Sequence, residues 1–191
     1  MAFEFEVDRN SVVVLYKGGR LPSWVQLTPA EQNAASQEHV NLMLAVARKH
    51  GLKRLEGFKL VGPQVDWERF WLMEFPTMAD AEVWIEAEMA PPYGLYGYYE
   101  YFLSRRWGAE FFDTWVQHPA KPTIPAAADP HEIPELWTDR SSVILVLFGR
   151  WRPGAEALDP AVRGDAQHEA LMRQVAREQK MSRMEVFQLI D

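Results

Sequence analysis

Two histidines, two Arg-Glu pairs and three strand aromatics are the residues of this chain whose types and spacing can carry chemistry. His39 and His168 each stand in an expected helix, three and four positions before a Leu-Met pair, so each shares that helix's apolar face. An imidazole there can act as a general base or orient a ligand, and it can equally cap the edge of a core. Arg54 and Glu56 lie two apart on an expected strand and so point the same way, as do Arg183 and Glu185. Such a pair either holds a polar group of a ligand or forms a solvated pair of little energetic weight. Trp71 on one expected strand, with Tyr99 and Tyr101 on another, offers an apolar wall to a ligand, a role that competes with plain core packing.

The histidines and the Arg-Glu pairs occur twice because the chain repeats. Residues 39–60 and 168–189 align without a gap at a shift of 129. Ten of the 22 positions are identical, where chance gives about one or two. One strand face agrees and the other does not. Arg54, Glu56, Phe58 and Leu60 recur as Arg183, Glu185, Phe187 and Leu189, whereas Gly57 and Lys59 become Val186 and Gln188. The shared face therefore meets a similar environment in both copies.

Other chemistry finds no support. The chain has no cysteine, which excludes disulfides, thiolate metal sites and cysteine nucleophiles. Its five histidines show no metal-ligand spacing, and it carries no G-x-S-x-G elbow, phosphate loop or dinucleotide fingerprint. No metal and no cofactor are expected. A net charge of −7 argues against a nucleic-acid partner. No run approaches ~18 apolar residues, so no membrane span is expected. The acidic, alternating start lacks the form of a signal peptide, and a cytoplasmic location is expected.

The elements that must position these residues follow from periodicity and turn chemistry. Residues 2–8 alternate as a half-buried strand and residues 11–17 read as a buried one, with Gly18 and Gly19 as the turn that ends it. Residues 21–27 read as loop. Thr28, Pro29 and Glu31 mark a helix start, and Gly51 follows its expected end near His50. Strands are predicted over 53–61 and 67–75, a second helix from Pro76 and Thr77 to about Met89, and an aromatic strand over 96–105. The order strand, helix, strand, strand, helix, strand is that of the ferredoxin-like split unit. Five prolines between Pro119 and Pro134 then make a linker. The pattern restarts with a strand over 142–148, a helix over 160–180 and a strand over 182–190, and stops there.

The fold class is thus α+β: a complete unit over 1–106, a linker over 107–140 and a partial βαβ copy over 141–191. The truncated copy lacks the strand that would fill the slot between its two parallel strands. Residues 2–8, or a strand from a second subunit, are the expected fillers, and a homo-oligomer is expected.

The stretch FWLMEFPTMADAEVWIEAE, with Phe75, Pro76, Thr77, Ala81 and Trp84, resembles the third strand and second helix of the dimeric α+β barrel superfamily. That resemblance implies a barrel-type assembly of ferredoxin-like units. The superfamily includes cofactor-independent monooxygenases, lactone isomerases, polyketide cyclases, haem-handling proteins and ligand-binding regulators, and fold alone selects none of them. The expected function is binding of an aromatic or apolar small molecule, with His39 and His168 as candidate catalytic residues and Arg54, Glu56, Arg183, Glu185, Trp71, Tyr99 and Tyr101 as candidate ligand contacts. A His-based monooxygenase or isomerase, or a purely structural protein, are the alternatives.

Overall fold

A computed structural model describes residues 6–61, 67–116, 143–149, 153–154, 157–159 and 164–190. Strand β1 (Val12–Arg20) is the centre of the architecture, because its β-branched run is buried along nearly its whole length. It pairs antiparallel with β3 (Arg69–Phe75) on one side and with β4 (Gly97–Arg106) on the other. Strand β2 (Arg54–Lys59) pairs antiparallel with β3. The four strands predicted for the complete unit therefore lie in the order β2, β3, β1, β4, that of the ferredoxin-like split unit expected from the sequence.

Two corrections concern β1 and β4. The strand does not end at Gly18 and Gly19 but runs through them to Arg20. A Cβ on Gly18 would sit 2.1 Å from the Tyr98 carbonyl oxygen and 2.5 Å from the Tyr99 ring, so glycine here permits close approach of β4 and not a turn. A fifth strand, β5 (Phe187–Leu189), lies beside β4, and Ile190 N–H donates to Leu103 O at 2.9 Å. It comes from the segment expected to close the partial copy.

Alternation in the sheet sends Val12, Val14 and Tyr16 of β1, with Met73 and Phe75 of β3, to one face. Helices α2 (Pro29–Lys49) and α3 (Met78–Glu88) cover that face through Met43, Ala47, Ala81 and Trp84. A short helix, α1 (Pro22–Val25), occupies what reads as loop in the sequence. The capping box predicted for α2 is formed: Thr28 Oγ1 accepts from Glu31 N–H at 3.3 Å, and Glu31 Oε2 accepts from Thr28 N–H at 2.8 Å. Thr77 caps α3 in the same way through Asp80 N–H. The Asp80 carboxylate also bonds His50 Nδ1 at 2.9 Å, which gives His50 a structural role tying the end of α2 to the start of α3.

The chain divides into two compact units, one built on Arg9–Arg105 and the last residues, the other on the N-terminal residues, Arg106–Lys121 and Asp139–Val186. In the second unit α4 (Ala109–Asp113) and α5 (Asp165–Glu178) are helical. Phe111, Phe112 and Trp115 cluster edge to face, and Arg173 lies over Phe111 and Trp115. The strand expected over 142–148 is not formed, since residues 143–149 have no regular structure and Val143, Leu145 and Leu147 are exposed. The reason is partnership. β1 is held by β3 and β4, whereas no described residue pairs with 143–149. Without that strand there is no two-strand slot. The described part of the N-terminal segment pairs elsewhere: Val7 bridges Trp107, and Asp8 N–H donates to Arg106 O. Residues 2–5 of the strand expected over 2–8, and the part of the expected linker from residue 117 on, lie outside the described residues.

Candidate functional site

The first unit's helix-covered face changes character along β1. Successive rows across β3, β1 and β4 run from Met73, Val14 and Leu103 to Trp71, Tyr16 and Tyr101, and then to Arg69, Gly18 and Tyr99. The core is thus dry at one end and becomes aromatic, then polar, towards the other. Tyr16 is the hub. Its ring stacks on Trp71 at 6.0 Å, tilts against Tyr101 at 5.2 Å and meets Tyr99 edge-on at 5.8 Å. Two glycines make room: Trp71 lies over Gly57, and Tyr99 over Gly18.

A buried carboxylate faces this wall. Glu88 is the last residue of α3, the end where the helix dipole disfavours a negative charge. It is nonetheless only 5% exposed. Two groups hold it there: Tyr16 Oη donates to Oε1 at 3.4 Å, and His39 Nε2 lies 3.2 Å from Oε2. Pro91 and Pro92 follow α3, and the 3₁₀ turn Tyr93–Tyr96 sets Tyr93 flat on the His39 ring, with centroids 3.8 Å apart and 10° between planes. His39 is thereby fixed on two sides. Its Nδ1 is buried without a hydrogen-bond partner among the described residues, as is Tyr101 Oη. A carboxylate on Nε2 favours the tautomer with the proton on Nε2, which leaves a lone pair on Nδ1.

Arg20, the last residue of β1, packs its guanidinium over Trp24 at 4.3 Å and Tyr93 at 4.2 Å and donates through Nη2 to Tyr93 Oη. Burial lowers its pKa from the ordinary value, and Arg69 pushes it the same way. Burial, with the Glu88 carboxylate adding to it, raises the Tyr16 and Tyr101 hydroxyls well above theirs, and Tyr99 shifts upward for the same two reasons. All three phenols are neutral donors at physiological pH. A small cavity of about 20 Å³ lies among Arg20, Arg69, Trp71, Glu88, Tyr93 and Tyr99. A second cleft of about 120 Å³ lies on the outer side of His39, against Leu42, Pro91 and Pro92.

Four of the residues singled out from sequence, His39, Trp71, Tyr99 and Tyr101, thus meet around Tyr16 and Glu88. The other five do not. Arg54 and Glu56 form a buried ion pair, but their register opposite Glu74 and Leu72 puts them on the other face of the sheet. Arg183 and Glu185 repeat that pair in the second unit at 2.6 Å, where Arg106 adds a contact to Glu185 at 3.4 Å. His168 is exposed on α5 and has no side-chain partner among the described residues. Sequence reading missed Tyr16, Arg20, Arg69, Glu88 and Tyr93. The available signal was Glu88, a carboxylate four residues after Trp84 on the apolar side of α3. Among the described residues no group of three or more His, Asp or Glu is placed to hold a metal ion, and no helix is long and apolar enough to cross a membrane.

No family model matches the chain, and no curated protein matches it. Solved structures do. A variant of chlorite dismutase from Candidatus Nitrospira defluvii aligns over 87% of this chain and 65% of its own, with a TM-score of 0.52 and 16% identity. Another variant of the same enzyme aligns over 51% of this chain and 40% of its own, at a TM-score of 0.45 and 13% identity. A dimeric protein of unknown function and ferredoxin-like fold from Bacteroides fragilis aligns over 51% of this chain and 97% of its own, at a TM-score of 0.34 and 10% identity. With its strand order and two covering helices, the first unit has a ferredoxin-like fold. It spans less than two thirds of the chlorite dismutase chains it matches, and at this identity the likeness concerns the fold alone.

Proposed function

We propose that the chain is a small-molecule-binding protein whose ligand is aromatic and docks on the first unit, at the wall formed by Tyr16, Trp71 and Tyr99. The observation that carries this reading is the convergence of stacked aromatics with a buried Glu88 and two guanidinium groups at one end of an otherwise apolar core. A core needing only stability has no use for a carboxylate at a helix C-terminus, because burying it costs free energy that apolar packing does not. The test is a panel of aromatic compounds followed by tryptophan fluorescence in the intact chain and in Trp71→Phe. A hit whose quenching disappears in the variant supports the site. A hit that quenches both equally contradicts it.

The second reading is an enzyme that abstracts a proton, as a cofactor-independent monooxygenase or isomerase would. His39 favours it: with Glu88 on Nε2, Nδ1 is free to accept a proton, and Glu88 would stabilise the imidazolium that forms. On this reading His39→Gln removes turnover of a screened substrate while its binding persists, and His168→Gln changes neither. Self-association belongs to the proposal too, supported by the exposed apolar side chains of Val143, Leu145 and Leu147. Light scattering at increasing concentration measures it, and a monomer throughout would contradict it.

A further inference from the structure

We propose that the cavity between Arg20 and Arg69 is an anion subsite, which takes a carboxylate carried by the aromatic ligand. This rests on the small-molecule reading above and adds the charge of the ligand to it.

The charges on the cavity wall are two guanidinium groups against one carboxylate. Glu88 is already engaged by His39 and Tyr16. Neither Arg20 nor Arg69 has an ion-pair partner among the described residues, so a positive charge is left over. Arg20 is also poorly satisfied. Its Nη2 reaches the Tyr93 hydroxyl, while Nη1 is buried with no acceptor. A buried charged donor without a partner is destabilising, and a ligand oxygen at that point would remove the defect.

The site is also rigid in the way a planar anion requires. Contacts with Trp24 and Tyr93, rings that meet edge to face, hold the Arg20 guanidinium in place before any ligand arrives. A guanidinium held in one plane presents a fork that matches the two oxygens of a carboxylate. Arg69 stands opposite Gly18 in the neighbouring strand, on the face to which Arg20 also points. The glycine leaves space between them that any side chain would fill. At about 20 Å³ the cavity accommodates a water-sized group. One carboxylate oxygen fits and an aromatic ring does not, so the ring lies outside, against the half-buried Trp71 and Tyr99.

The experiment compares benzoate with benzamide, which has the same ring and shape without the charge. Binding to the full chain is measured by calorimetry for the natural sequence, for Arg20→Gln and for Arg69→Gln, with thermal melts to verify that each variant is folded. The expected result is a preference for benzoate of about tenfold or more, falling towards equality in either variant. Arg69→Gln carries the test alone if Arg20→Gln does not fold. Equal binding of the two probes to the natural sequence overturns the anion subsite and leaves the aromatic reading intact. A preference for benzoate that survives in Arg69→Gln also overturns it. Binding of benzamide but not benzoate reverses the sign and has the same consequence. Failure of both probes to bind counts against the aromatic reading as well.

Discussion

Helices α2 and α5 share six aligned side chains, from His39 and His168 to Arg48 and Arg177, and end at aligned residues, Lys49 and Glu178, yet only one of them faces the candidate site. Their inner faces agree where packing is concerned: Ala47 and the aligned Ala176 are each 3% exposed. They part at the histidine. His39 meets Glu88 and Tyr93, which α3 and the turn after it supply. His168 is exposed and meets no such partners among the described residues. The neighbouring strands diverge similarly. Val14 is 0% exposed at the sheet centre, and Val143, in the segment expected to match β1, is 85% exposed and irregular. Identical residues thus acquire a role only where the complete unit provides partners. The exception is local in sequence: Arg54 with Glu56, and Arg183 with Glu185, form ion pairs in both units because each pair needs only two-residue spacing.

The sharpest way to break this comparison is at the strands. Val14→Ala should cost about 2 kcal/mol, through lost burial and the cavity left behind. Val143→Ala should change stability by less than about 0.5 kcal/mol. Chemical denaturation of both variants decides, and equal losses would mean that the two segments are packed alike. The histidines come next. His39→Ala should cost about 1–3 kcal/mol by removing one of the two groups that hold buried Glu88. His168→Ala should stay within about 0.5 kcal/mol. A larger loss at His168 would contradict its exposure.

The ion pairs should differ less. Double-mutant cycles on Arg54 with Glu56 and on Arg183 with Glu185 should both give coupling energies, within about 0.5–3 kcal/mol. The first should be larger, since its side chains are the more buried and Glu185 shares its charge with Arg106. The reverse order would show that the more open pair carries the greater weight. The smallest effect is on the alkaline side. Burial raises Tyr16, Tyr99 and Tyr101 in the folded state, so these phenols keep their protons above about pH 10, where the unfolded chain loses them. The unfolded state then binds fewer protons, and stability falls as pH rises beyond that value. Ultraviolet titration of the chain's six tyrosines should show part of the set ionising late. Ionisation of all six together near pH 10 would contradict the buried wall.

Much of the first unit is legible in the sequence, because its signals are local. The capping box at Thr28 and Glu31, the β-branched run of β1 and the proline stop after α3 each act over a few residues, and together they set the order of elements along the chain. The site is only half legible. His39, Trp71, Tyr99 and Tyr101 can be picked out by type and spacing. Their meeting point, Tyr16 with Glu88, depends on β-pairing and helix packing between residues 72 positions apart. The role of Arg20 depends on strand β1 continuing through two glycines that by themselves read as a turn. The strand over 142–148 fails for a related reason. Its apolar pattern is genuine, but a strand is defined by its partners, and the described residues supply none.

The central claim is that ligand chemistry belongs to the complete copy and not to the partial one. Amide chemical-shift mapping during a titration with benzoate tests it most directly. The account predicts changes confined to the amides around Gly18 to Arg20, Arg69 to Trp71, Glu88 to Tyr93 and Tyr99. Changes centred on His168 or on Arg183 and Glu185, with the first unit silent, would contradict it.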